Sequence, residues 1–101
     1  MKKARNGEEI LRTLAENRSK IKSYGVRRIG LFGSHARGEA TESSDLDFVV
    51  EFRKKSFDSY MALKFYLEDL FGCKVDLVIS ETIKPRLRSK ILKEVVYAPG
   101  L

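Results

Sequence analysis

Apolar side chains recur at Ile10, Leu11, Leu14, Ile21 and Tyr24 among charged neighbours, the spacing of one helix face. The pattern predicts a helix over residues 7–24, with Gly25 as its stop. The period then changes. "VRRIGLF" (Val26 to Phe32) reads as a strand that ends at Gly33-Ser34, and the small, polar "HARGEATESS" after it suits a turn of helix and a loop. Ser43 and Ser44 turn the chain into "DLDFVVEF", which alternates: Leu46, Phe48, Val50 and Phe52 on one face, Asp45, Asp47, Val49 and Glu51 on the other. Arg53, Lys54 and Lys55 mark a turn. Ser56 can cap a helix running to Phe71, with Phe57, Tyr60, Leu63, Leu67, Leu70 and Phe71 as its expected buried stripe and Gly72 as its end. "KVDLVIS" is a third strand, Val75 and Leu77 facing opposite to Asp76. Pro85 fits the first turn of a last helix carrying Leu87, Ile91 and Val95. The order helix, strand, short helix, strand, helix, strand, helix predicts an α/β (α+β) fold, a small sheet backed by helices.

Composition narrows the classes. A length of 101 residues, 43% hydrophobic and 34% charged, predicts one soluble globular domain spanning 1–101. No apolar stretch approaches membrane-spanning length, and the basic start Met1-Lys2-Lys3 is not followed by a signal-peptide core. Cys73 is the only cysteine, so no internal disulfide can form and a reducing cytoplasm is expected. Cys73 and the lone His35 cannot make a four-ligand zinc set. The net charge of +6 and pI near 9.6 favour an anionic partner: nucleotide, nucleic acid or acidic protein surface. Lys84, Arg86, Arg88, Lys90 and Lys93 crowd the C-terminal end, as a solvated helix face or a partner-binding one.

Candidate chemistry concentrates between Gly33 and Asp76. At a side-chain period of two, Asp45 and Asp47 project from one face of one strand. Carboxylates that close repel unless a cation lies between them, and Mg²⁺ suits them because it takes oxygen ligands and leaves room for phosphate and water. If Asp76's strand pairs beside theirs, its carboxylate comes within about 4.5–8 Å, Cβ to Cβ. Three carboxylates so placed could hold two metal ions about 3.5–4 Å apart, the arrangement that serves phosphoryl or nucleotidyl transfer. Each aspartate taken singly also reads as a solvent-facing residue at a strand's end. Gly33 permits close backbone approach, Ser34 offers a hydroxyl and an amide, and a helix start there favours phosphate. Neither a Walker A loop nor a GxGxxG fingerprint is present.

These residues carry a resemblance. Gly33-Ser34, ten residues, then Asp45-Leu46-Asp47, with Asp76 on a later strand, resembles the signature of the DNA polymerase beta-like nucleotidyltransferase superfamily. The wording "GSHARGEATESSDLDFVV" is similar to its minimal nucleotidyltransferase (MNT) branch, many of whose members are antitoxins paired with HEPN-domain toxins. The resemblance covers nearly the whole chain and implies a small mixed β-sheet backed by helices. It also implies that Ser34 with Gly33 holds nucleotide phosphates and that Asp45 and Asp47 bind Mg²⁺. Asp76, by the same likeness, ligates metal and helps deprotonate the acceptor hydroxyl. Arg37 belongs to the extended motif, either approaching the triphosphate or pairing with a carboxylate or carbonyl. His35 lies at a variable position, catalytic or not. The core pattern is intact.

Two functions follow from the resemblance. One is a Mg²⁺-dependent nucleotidyltransferase moving a nucleoside monophosphate, AMP from ATP, to a hydroxyl of a HEPN-type toxin, in a hetero-oligomer with that toxin; direct nucleic-acid binding is not expected but stays open. The other is an antitoxin that silences its toxin by binding alone. A polymerising or antibiotic-modifying enzyme would need an added acceptor domain, for which 101 residues leave no space. No residue stands out as a reader of the nucleotide base.

Overall fold

The computed structural model describes residues 6–41, 45–54 and 56–101. In chain order they form helices α1 (Gly7–Glu16) and α2 (Arg18–Lys22), strand β1 (Val26–Phe32), short helix α3 (Ser34–Arg37), strand β2 (Leu46–Phe52) and helix α4 (Phe57–Phe71). Strand β3 (Val75–Ile79), a 3₁₀ turn (Ser80–Thr82), helix α5 (Pro85–Glu94) and strand β4 (Val96–Tyr97) complete the order. The sheet runs β3-β2-β1-β4, with β1 antiparallel to β2 and β4 and β2 parallel to β3. This is the expected mixed sheet, α+β in class. The turn read at Ser43-Ser44, and Lys55, lie outside the described residues.

The first helix differs from the expectation of one piece. Asn17 breaks it, because its side-chain Nδ2 donates to the Thr13 carbonyl at 2.8 Å and competes with the backbone ladder. The Asn17 Oδ1 accepts from Tyr66 Oη at 3.2 Å, tying the break to α4. Strand β1 also departs from simple alternation: its register with β2 shifts between Val26 and Arg28. That irregularity lets Val26 and Ile29 both face the core while Arg27 and Arg28 stay exposed.

One core lies between α1, α2, α4 and a single face of the sheet. It is built from Ile10, Leu14 and Ile21, the β2 series Leu46, Phe48, Val50 and Phe52, Val75 and Leu77 of β3, and Leu63, Leu67 and Phe71 of α4. Ser56 caps α4 as expected, its Oγ accepting from the Ser59 N–H at 3.0 Å. The same helix is tied to β3 by Tyr60 Oη donating to the Leu77 carbonyl at 2.7 Å and by the Val75 N–H donating to Glu68. Phe57 does not join the stripe and is 76% exposed. At about 100° per residue it points roughly 80° away from Leu67.

The other sheet face is also covered in part: Val49 of β2 is buried there. A Cβ built on Gly30 would meet Val95 Cγ2 at 2.5 Å and Tyr97 Cδ1 at 3.0 Å, so the α5–β4 corner lies directly on β1 there. Strand β4, two residues long, carries too little pattern to be read from sequence. Among the described residues of α5 none is buried, and no described helix is long and apolar enough to cross a membrane.

Candidate active site

The sheet register sets the site. Leu31 pairs with Phe48 and Phe48 with Leu77, a buried row across three strands. One residue away, on the opposite face, Phe32 pairs with Asp47 and Asp47 with Asp76. Adjacent strands are about 4.8 Å apart, so the two carboxylates are direct neighbours at one end of the sheet. Asp45 lies two residues upstream of Asp47, exposed, just before β2 begins.

Burial raises the Asp47 carboxyl above the ordinary 3.8, the charges of Asp76 and Asp45 push it further, and Arg37 pulls the other way. A half-buried carboxylate loaded with like charge is a site for a cation. Among the described residues no three His, Cys, Asp or Glu side chains form a ready-made metal cage. Oxygen donors from two or three neighbouring carboxylates, with the rest of the shell open, fit Mg²⁺, which keeps waters and takes phosphate oxygens.

Gly33 joins β1 to α3 at φ 79°, ψ −154°, a region open essentially to glycine alone. A Cβ there would overlap the Asp47 carboxylate, with Cγ only 2.9 Å away. The close approach that glycine allows is therefore to a carboxylate of this chain, as well as to any ligand above it. Ser34 opens α3 beside that carboxylate, where the leading N–H groups of a helix lack intrahelical partners. We expect Gly33→Ala to cost about 1–3 kcal/mol in backbone strain and to displace Asp47. Denaturant unfolding checks this; an unchanged stability would overturn the strain assigned to Gly33.

Arg37 is engaged with carboxylates, one of the two roles anticipated for it. Its Nε donates to Glu39 at 2.9 Å and its Nη1 to Glu94 of α5 at 2.6 Å, which holds the guanidinium firmly charged. The side chain still lines a cleft of about 460 Å³ with Phe32, Gly33, Ser34 and Asp47. His35 is buried and lines a different hollow, with Asn6, Gly7 and Leu11, so it belongs to the packing of α3 on α1. Leu87, Lys90, Ile91 and Glu94 complete the cleft. Sequence reasoning saw the apolar and basic spacing of that helix but had no means of bringing it to Asp47.

Comparison with known proteins places the chain in a family. The model of the nucleotidyltransferase domain family matches residues 9–98. The protein adenylyltransferase MntA of Thermococcus cleftensis is 42% identical over 92 residues, covering 89% of this chain and 93% of the relative. A solved minimal nucleotidyltransferase superposes with a TM-score of 0.70 at 41% identity, covering 85% of this chain and 93% of that one. A Shewanella oneidensis complex of a tri-AMPylated HEPN toxin with an MNT antitoxin shares the fold, with a TM-score of 0.64 at 18% identity over 90% of this chain and 73% of that one. With nine-tenths of its length matched and its paired strand carboxylates beside a Gly-Ser turn, this chain belongs to the nucleotidyltransferase family of enzymes, alongside its minimal members.

Proposed function

We propose that this protein transfers AMP from ATP to a hydroxyl of a partner protein, a HEPN-type toxin, and so acts as that toxin's antitoxin in the cytoplasm. The observation that carries the reading is the register pair Asp47–Asp76 beside Gly33-Ser34. The adenylyltransferase name of the Thermococcus cleftensis relative supports the reaction, and the toxin complex of the same fold supports the partner.

In this reading Ser34 and the first N–H groups of α3 bind the β- and γ-phosphates. Asp45, Asp47 and Asp76 would hold the Mg²⁺ ions, two being expected. When bound, the metal neutralises phosphate charge and polarises the α-phosphorus. Asp76 accepts the proton of the acceptor hydroxyl, whose oxygen forms a bond to the α-phosphorus. The bond from that phosphorus to the bridging oxygen breaks, and pyrophosphate leaves. Arg37 lines the cleft while paired with Glu39 and Glu94, and so holds α3 against α5 at its edge. The partner supplies the acceptor segment, so a hetero-oligomer forms during the reaction.

Incubation with the toxin, Mg²⁺ and each NTP, followed by intact mass measurement of the toxin, tests the proposal. A mass gain of AMP residues with ATP is expected. An unmodified toxin under all four nucleotides would overturn it.

A further inference from the structure

Helix α5 places Leu87 and Ile91 on an open cleft instead of the core. Leu87, Ile91 and Glu94 follow one another at i, i+4 and i+7, a single stripe along the helix, with Lys90 beside them. All four line the cleft that holds Ser34, Arg37 and Asp47. Leu87 remains 45% exposed. Leu87 and the half-buried Ile91 thus put apolar surface on one wall of a cleft whose other wall is polar, the division that a ligand with an apolar and an anionic end would fit.

The helix is also anchored. At its end the Arg37–Glu94 ion pair ties it to α3, and on another side Arg88 Nη1 donates to the Ser80 carbonyl at 2.9 Å. The cleft thus has fixed walls of unlike character. Ser34 and Lys90 offer a hydroxyl and positive charge, Arg37 and Glu94 stand there as an ion pair, and Asp47 lies beside them. Leu87 and Ile91 on α5, with Phe32 at the end of β1, offer apolar surface. A nucleoside triphosphate has the same division, an anionic tail and a flat, weakly polar ring.

We propose that Leu87 and Ile91 form the nucleobase platform of the site and that Lys90 reaches the phosphate tail. The proposal rests on the nucleotidyltransferase reading above and adds the residues that bind the other end of the nucleotide. Aliphatic side chains read no base edge, so the platform grips a purine by area and does not separate adenine from guanine.

Calorimetric titration with Mg·ATP, Mg·GTP and inorganic tripolyphosphate tests it. For Leu87→Ser combined with Ile91→Ser, ATP and GTP affinities should fall by a common factor of about ten while tripolyphosphate affinity stays unchanged. Lys90→Ala should weaken all three ligands. Circular dichroism reports whether α5 persists; if the double variant loses helix, Leu87→Ala alone takes its place, with the same ordering of ligands expected. Unchanged ATP affinity in a folded variant overturns the platform, and so does an equal loss for tripolyphosphate. Retained ATP affinity with a raised KM for the acceptor protein would assign the apolar wall to the acceptor and overturn the platform too. Failure of the wild-type protein to bind ATP at all would instead defeat the nucleotidyltransferase assignment of the site, and the platform with it.

Discussion

Asp76→Asn is expected to lower AMP transfer to the partner by about 10²–10⁴-fold, the range for losing a positioned proton acceptor. Much of the ATP affinity should survive, because Ser34, Asp45 and Asp47 remain in place. Asp76 is exposed on β3, so an isosteric change there disturbs no packing. Binding to the toxin should survive as well, since a protein contact spreads over a wider surface than one carboxylate. The variant therefore separates an enzyme from an antitoxin that works by binding alone. Under the catalytic reading it binds the toxin and fails to silence it durably. Full protection by Asp76→Asn, with no adduct on the toxin, would leave binding as the function and the fold as the only inheritance from the family.

Asp45→Asn combined with Asp47→Asn should abolish Mg²⁺-dependent transfer while the metal-free fold becomes as stable as wild type or more so. The stability half of this expectation comes from Asp47. Its folded-state carboxyl is raised above 3.8 by burial and by the charges of Asp76 and Asp45. A raised acid binds its proton more tightly in the folded state, so the ionised form opposes folding. That penalty is absent below 3.8, grows as pH rises toward the raised value, and is fully present above it. Relative to the double variant, metal-free wild type should accordingly lose thermal stability as pH rises through the interval just above 3.8, since groups shifted the other way, such as Glu68, are common to both. Mg²⁺ at neutral pH should restore wild type and leave the variant unmoved. Melting curves across this pH range, with and without Mg²⁺, measure both effects. A double variant less stable than metal-free wild type at neutral pH would show that Asp47 supports the fold rather than straining it.

The chain's own pattern determined the elements, because periodicity is a property of neighbouring residues. The alternation through Leu46, Phe48, Val50 and Phe52 assigned the buried face of β2, and with it put Asp45 and Asp47 on the opposite face. The Gly-Ser turn, the Asp45-Leu46-Asp47 pair and the family likeness were legible for the same reason, all lying within one short window from Gly33 to Val50. Tertiary structure alone decided what meets across the sheet. The pairing of Asp47 with Asp76 depends on β3 adding in parallel beside β2, and the overlap that bars a side chain at Gly33 depends on β2 lying against β1. The Arg37–Glu94 contact joins residues 57 positions apart. Phe57 left the expected stripe because helix phase and the edge of the sheet, rather than hydrophobicity, decide which positions are covered. Leu87 and Ile91 carried a helical spacing that fits a core as well as a cleft, and only the seating of α5 over the open face distinguishes the two. Local spacing tells which side chains share a face; what that face meets is set by the packing free energy of the whole sheet and its helices, which no short window contains.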